Sequence, residues 1–152
     1  MVLTKKLTDS VTPTPWRLKK RVLPQHTDHA GVMWHGAYVA WLEEARVEAL
    51  VAAGLTYAEM TTLGVEMPVV SLNINYRHAL CHGDMVVLES ISSLPVGVRW
   101  PWRCQMFCNG QLMADASVEL VMVTAGRVLR RPPAHLQALM NRLRQGPTAE
   151  DV

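Results

Sequence analysis

One long stretch of this 152-residue chain repeats its apolar residues with the period of a helix, and the long stretches between residues 70 and 124 repeat with the period of a strand. Beyond Trp34, the residues Tyr38, Trp41, Leu42, Ala45 and Ala49 fall at i, i+3, i+4, i+7 and i+11, while Glu43, Glu44 and Glu48 face away. The spacing predicts a helix from Trp34 to about Ala53, with Gly54 as its left-handed cap. A single helix with one apolar stripe must bury it on something else. Thr56 and Glu59 form a capping box that opens a short helix closed by Gly64. Alternation then predicts strands from Val70 to Arg77, Met85 to Ser93, Val98 to Cys108 and Gln111 to Thr124, with turns at His82-Gly83-Asp84 and Asn109-Gly110. An earlier strand begins at Trp16 and ends near Pro24, and Leu136, Leu139, Met140 and Leu143 mark a C-terminal helix. The order reads as an α+β domain: a long helix, then four strands in meander-like succession, with five antiparallel strands in all. Pro101, which cannot donate to a ladder, is expected at an edge or bulge.

The length suits one core, so residues 1–152 are taken as a single domain with tails at 1–14 and 146–152. No apolar run reaches about 18 residues, which excludes a spanning helix. The first fifteen residues lack the apolar centre of a secretory signal, so a cytoplasmic location is expected. Cys81, Cys104 and Cys108 form neither an even framework nor a C-x-x-C pair, and read as reduced thiols. A net charge of +2, with no basic run interleaved with aromatics, argues against nucleic acid. Basic residues do gather at both ends: Lys5, Lys6, Arg17, Lys19, Lys20 and Arg21, then Arg127, Arg130, Arg131, Arg142 and Arg144. If the ends meet, they make a rim that attracts a phosphate-bearing small molecule.

Nucleophilic-serine, phosphate-loop and dinucleotide signatures are absent from the sequence. What stands out is Gln25 to Tyr38, which sets Asp28 and the imidazoles of His26, His29 and His35 beside the opening turn of the long helix. A helix start offers unpaired N–H groups and a positive dipole end, the equipment for a developing oxyanion. Asp28 stands within reach as nucleophile or base. By residue type alone two other readings stay open: Asp28 as a turn or capping residue, and Asp28 with the three histidines as a metal site.

Thr27-Asp28-His29-Ala30-Gly31-Val32-Met33-Trp34-His35, followed by Trp41-Leu42-Glu43-Glu44-Ala45-Arg46, resembles the hotdog-fold acyl-CoA thioesterases of the 4-hydroxybenzoyl-CoA thioesterase type. That family carries D-x-D-x-x-G-[VI]-[VM]-[YW]-[HYF] before a Glu- and Ala-rich helix. Asn75 to Asp84 is similar to its Y-x-x-P-A-x-x-G-D turn, with His78 where proline is common. The likeness covers roughly residues 16 to 133. It implies a hotdog fold, a long central helix wrapped by a five-stranded antiparallel sheet. It also implies hydrolysis of an acyl-CoA thioester without metal or organic cofactor. The catalytic carboxylate falls on Asp28 and the oxyanion donor on the backbone N–H of His35, helped by that of Gly36. His26 replaces the family's first Asp, and Ala37 replaces an Asn or Ser often found there.

Trp34 and Tyr38 are core or dimer-facing residues that also serve as acyl-pocket walls, and Glu44 falls near the acid position of some hotdog helices. Open sheet edges call for a homodimer or homotetramer. Coenzyme A would then cross a subunit boundary, with its phosphates near Arg99 or Arg103. Two other functions stay in view: a thioesterase acting on acyl carrier protein, and a module that binds acyl-CoA without hydrolysing it.

Overall fold

The computed structural model describes residues 13–149, apart from the side chains of residues 57, 60 and 61. The parts of the expected tails at 1–12 and 150–152 lie outside the described residues. Strand β1 (Trp16–Arg21) leads through a 3-10 turn (Pro24–His26) and an irregular loop into α1 (His35–Ala52) and the short α2 (Tyr57–Thr62). Strands β2 (Val69–Tyr76), β3 (Met85–Ser92), β4 (Trp100–Cys108) and β5 (Gln111–Leu120) follow. A small pair, β6 (Val123–Thr124) and β7 (Arg127–Val128), precedes α3 (Ala134–Gln145). Among the described residues, no helix is long and apolar enough to cross a membrane.

The five long strands form one antiparallel sheet in the order β1-β3-β4-β5-β2. The expected meander holds for β3, β4 and β5, but β2 does not neighbour β3. It crosses to the far edge and pairs with β5, which leaves β1 beside β3. The turns behave as read. Asn109 and Gly110 take positive φ, the demand of a two-residue hairpin, and Thr56 and Glu59 exchange both capping bonds.

Two strand boundaries and the place of Pro101 differ from expectation. Strand β4 begins at Trp100, because Val96 and Arg99 exchange hydrogen bonds around Gly97 and put Val98 in a turn. The last long strand stops at Leu120, since Val121 and Met122 are both buried and break the alternation. Val123 then starts the separate pair closed by Ala125-Gly126. Pro101 sits in the central strand rather than at an edge or bulge. Its carbonyl accepts from Ser93 N–H at 3.0 Å, on the side where β3 has just ended. A residue's N and C=O share a side in a strand, so the missing donor faces the place where the ladder runs out.

Helix α1 buries Tyr38, Trp41, Leu42, Ala45 and Ala49 on the sheet, the stripe its spacing demands. The core divides along this helix. Its first half packs with Val22, Met33, Leu80, Val86, Leu88 and Met106. Its last turns pack with Trp16, Trp100, Trp102, Leu136 and Leu143. The chain ends meet here: Trp16 Nε1 donates to Leu143 O at 2.8 Å in the interior, and a Cβ at Gly146 would lie 1.9 Å from Thr14 O. Trp16→Phe keeps most of the apolar surface and removes one of the two hydrogen bonds on Leu143 O, the other coming from Gly146 N–H at 3.3 Å, so it should cost about 0.5–1.5 kcal/mol. A denaturant titration with an unchanged midpoint would refute that tie.

Candidate functional site

The Asp28 loop is built from short-range hydrogen bonds. After the 3-10 turn, Thr27 N–H and Oγ1–H both donate to Pro24 O, at 3.1 and 2.7 Å. Asp28 N–H donates to Val32 O at 2.9 Å, and Gly31 N–H to Asp28 O at 3.0 Å. Gly31 takes a φ of 79°, which a residue with a Cβ adopts at a cost. The Asp28 carboxylate turns back on this loop. Oδ1 accepts from Ala30 N–H at 2.8 Å and from Val32 N–H at 3.3 Å, and Oδ2 takes no hydrogen bond from the described residues. The bonds on Oδ1 are those of a turn residue.

Two rungs fasten this loop to the start of α1. Met33 N–H donates to Leu80 O at 2.7 Å, and Trp34 N–H to His26 O at 3.0 Å. Trp34 is the N-cap, with extended φ and ψ and no side-chain cap bond. The N–H groups of His35 and Gly36 find no acceptor among the described residues, as first-turn amides do. The Trp34 indole, 46% exposed, lies over Gly36 so closely that a Cβ there would stand 2.0 Å from ring carbon Cη2. The His35 ring meets the same indole edge-on at 5.4 Å.

A cleft of about 330 Å³ opens beside this turn, lined by Val32, His35, Tyr38, Tyr76, Arg77 and His78 among others. Tyr38 and Tyr76 meet edge to face at 4.9 Å. Burial pushes the Tyr38 hydroxyl above its ordinary pKa against the opposing bond to the Leu80 backbone, so it stays a neutral phenol. Arg77 is a cation set in place. Its Nε and Nη2 donate to Asp115 Oδ2 at 2.9 and 2.6 Å, while Asn75 Nδ2 donates to Oδ1 at 2.8 Å. The Asn75 and Arg77 bonds hold the Asp115 carboxyl below the usual carboxylate range. A larger groove of about 560 Å³, between the end of α1, α2 and α3, lies at the other end of the helix from Asp28.

The structure therefore brings His35, Tyr38 and Trp34 together at the helix start, with Asp28 one loop turn away and outside the cleft wall. Neither Arg99 nor Arg103 lines the cleft. Arg103 stands on the sheet face away from α1, where its charge helps hold the Asp115 carboxyl down, and Arg99 pairs with Glu119 beside Trp100, at the far end of the core. Glu44 is engaged by Lys20 at 3.0 Å. Among the described residues no three His, Cys, Asp or Glu gather in a group that could hold a metal. Sequence reading passed over Arg77, Tyr76 and Asp115, whose meeting depends on β2 pairing with β5, a partner 40 residues on. Arg46, which closes the helix motif, is only 8% exposed in α1 and paired with Glu43 one turn back.

An antiparallel sheet of five strands packed on one main helix, with a carboxylate loop at that helix's start, is the hotdog arrangement of thioesterases. The chain belongs to the thioesterase-like superfamily, whose profile matches residues 22–143. It is 36% identical over 141 residues, 90% of this chain and 85% of the other, to a Synechocystis protein named as an esterase. A solved Aquifex aeolicus structure superposes with a TM-score of 0.76 at 25% identity, covering 82% of this chain and 99% of that one. The Staphylococcus aureus DHNA-CoA thioesterase gives 0.69 at 26%, covering 75% and 78%.

The contact between Trp34 and Gly36 sets a test. Ala gains about 1 kcal/mol over Gly in a helix, and the half-exposed indole is free to swing, so Gly36→Ala should fold normally and expel the ring. Acrylamide quenching of tryptophan emission should rise in Gly36→Ala and stay unchanged when the same substitution is made in Trp34→Ala. A rise in both backgrounds would mean that the indole does not rest on Gly36.

Proposed function

We propose that this protein hydrolyses an acyl-CoA thioester to the free acid and coenzyme A. The observation that supports this reading best is the pairing of groups at the helix start. A loop carboxylate is held through one oxygen only, and two hydrogen-bonded rungs separate it from unpaired first-turn amides at the edge of a cleft. The thioester carbonyl would accept from His35 N–H, with Gly36 N–H as a second donor, each worth on the order of 3 kcal/mol as negative charge develops on the oxygen. Asp28 Oδ2 either attacks the carbonyl carbon, expelling the coenzyme A thiolate and leaving a mixed anhydride that water opens, or takes a proton from an attacking water. Both routes consume one water and return one acid and one thiol, with no cofactor. Trp34, Tyr38 and Tyr76 wall the acyl group, and the kinship with the DHNA-CoA thioesterase favours coenzyme A as the carrier. Arg77 lines the cleft and is the better placed cation for a phosphate. Arg99 and Arg103 would serve only from a neighbouring copy.

Two substitutions separate the roles. Asp28→Asn keeps an acceptor for Ala30 and Val32, so the loop should persist while kcat/KM on the best substrate of an acyl-CoA panel drops at least ~100-fold. Near-normal turnover would sink the mechanism. His35→Ala retains the N–H and should stay active, whereas His35→Pro deletes it. Proline suits the first helical position and demands an extended residue before it, and Trp34 has φ −80° and ψ 152°. A folded His35→Pro that hydrolyses at the wild-type rate would remove that amide from the mechanism.

The two sheet edges differ in a way that supports a homodimer. β1 carries Arg17, Lys19, Lys20 and Arg21, charges that discourage edge pairing. β2 reads VVSLNINY, with no charge and with Val69, Val70, Leu72 and Tyr76 exposed. Antiparallel pairing of β2 with its own copy would set two clefts astride the boundary, since Tyr76 lines the cleft. A two-fold axis through the middle of this strand brings residue 73 near its own copy, so Asn73→Lys should convert dimer to monomer in sedimentation velocity. An unchanged dimer would place the interface elsewhere.

A further inference from the structure

We infer that His26 is a positioning residue for the Asp28 loop, acting as a neutral hydrogen-bond acceptor at Nδ1. Leu23 N–H, at the exit of β1, donates to His26 Nδ1 at 3.0 Å, and the outer edge of the ring packs on Trp41 of α1 at 5.2 Å and 77°. The same residue's carbonyl accepts from Trp34 N–H. One residue thus ties together the end of β1, the loop and the first turn of α1. The acceptor role places the ring proton on Nε2. Asp28 hangs beyond the rung between Thr27 and Met33, and the His35 amide follows directly on the rung between His26 and Trp34. The spacing of the two proposed reacting groups is therefore set at residue 26. His26 touches neither group itself, so its effect passes through the backbone.

A second proton on the ring turns Nδ1 into a donor facing the Leu23 N–H, and the tie is lost. The charged groups on the elements packed around the ring do not offset this. Lys20 of β1 stands 5.9 Å from the centre of the same Trp41 ring, and its charge is taken by Glu44 of α1. On the loop, Asp28 Oδ1 is committed to Ala30 and Val32, and His29 is exposed. A carboxylate or amide at position 26 would reach the same N–H, because an Asn Oδ1 occupies the place of the imidazole Nδ1.

The experiment compares wild type, His26→Asn and His26→Ala in two readouts. The first is hydrogen-exchange protection of the Leu23 and Trp34 amides by NMR, corrected for the intrinsic pH dependence of exchange. The second is kcat/KM on an acyl-CoA thioester at neutral pH, and this arm rests on the function proposed above. Protection should be present at neutral pH in wild type and His26→Asn and lost in His26→Ala, which should be at least ~10-fold less active. His26→Ala with full protection and full activity would overturn the assignment, as would a His26→Asn that loses protection and activity as His26→Ala does. If wild type hydrolyses no thioester, the proposed function fails while the exchange data still decide whether residue 26 holds the loop.

Discussion

A helix laid across a sheet can slide and rotate unless its first turn is fastened, and here two backbone hydrogen bonds do the fastening. Met33 N–H reaches Leu80 O in the turn after β2, and Trp34 N–H reaches His26 O in the turn after β1. The residues just before α1 are thus stitched to both neighbours of its N-terminus, and the helix direction follows. With that end fixed, the stripe from Tyr38 to Ala49 falls on the sheet, and His35 of the opening turn lines the cleft. Met33 and Leu80 are both buried, so the bond between them works in a region that water does not reach and is expensive to lose.

Features set by local period or by a single turn were legible in the sequence. The α1 stripe, the capping box, the Asn109-Gly110 hairpin and the loop around Asp28 each depend on residues within a few positions of one another. Features set by which strands become neighbours were not. Arg77 meets Asp115 only because β2 crosses the sheet to β5, and alternation along β2 carries no record of its partner. Pro101 misled for a related reason: the rule about edges concerns a missing partner, and a central strand also lacks one where its neighbour ends first. The chemistry followed the same division. Asp28 and His35 were visible as a motif, whereas Arg77 and the lie of Trp34 on Gly36 needed the fold.

The site is assembled almost wholly from backbone. Its donors are first-turn amides, its carboxylate is oriented by two loop amides, and the loop is tied down through carbonyls and one imidazole nitrogen. Such a design tolerates change in side chains that merely line the cleft, because the polar geometry does not pass through them. Under the function proposed above, Tyr38, Tyr76 and Trp34 would meet the acyl group, while main chain and Asp28 would meet the reacting atoms. Selectivity and rate would then be carried by different parts of the molecule.

The division of the core along α1 has an evolutionary consequence. Residues from Tyr38 to Ala45 share their packing with the walls of the cleft, whereas Ala49 to Leu55 share theirs with Trp16, Trp100 and the C-terminal helix. A substitution in the far half, such as one at Leu136 or Leu143, would therefore perturb a set of contacts distinct from those that hold the cleft end. Under the proposed function, the two ends of the helix would then be open to separate selection, one for stability and one for turnover.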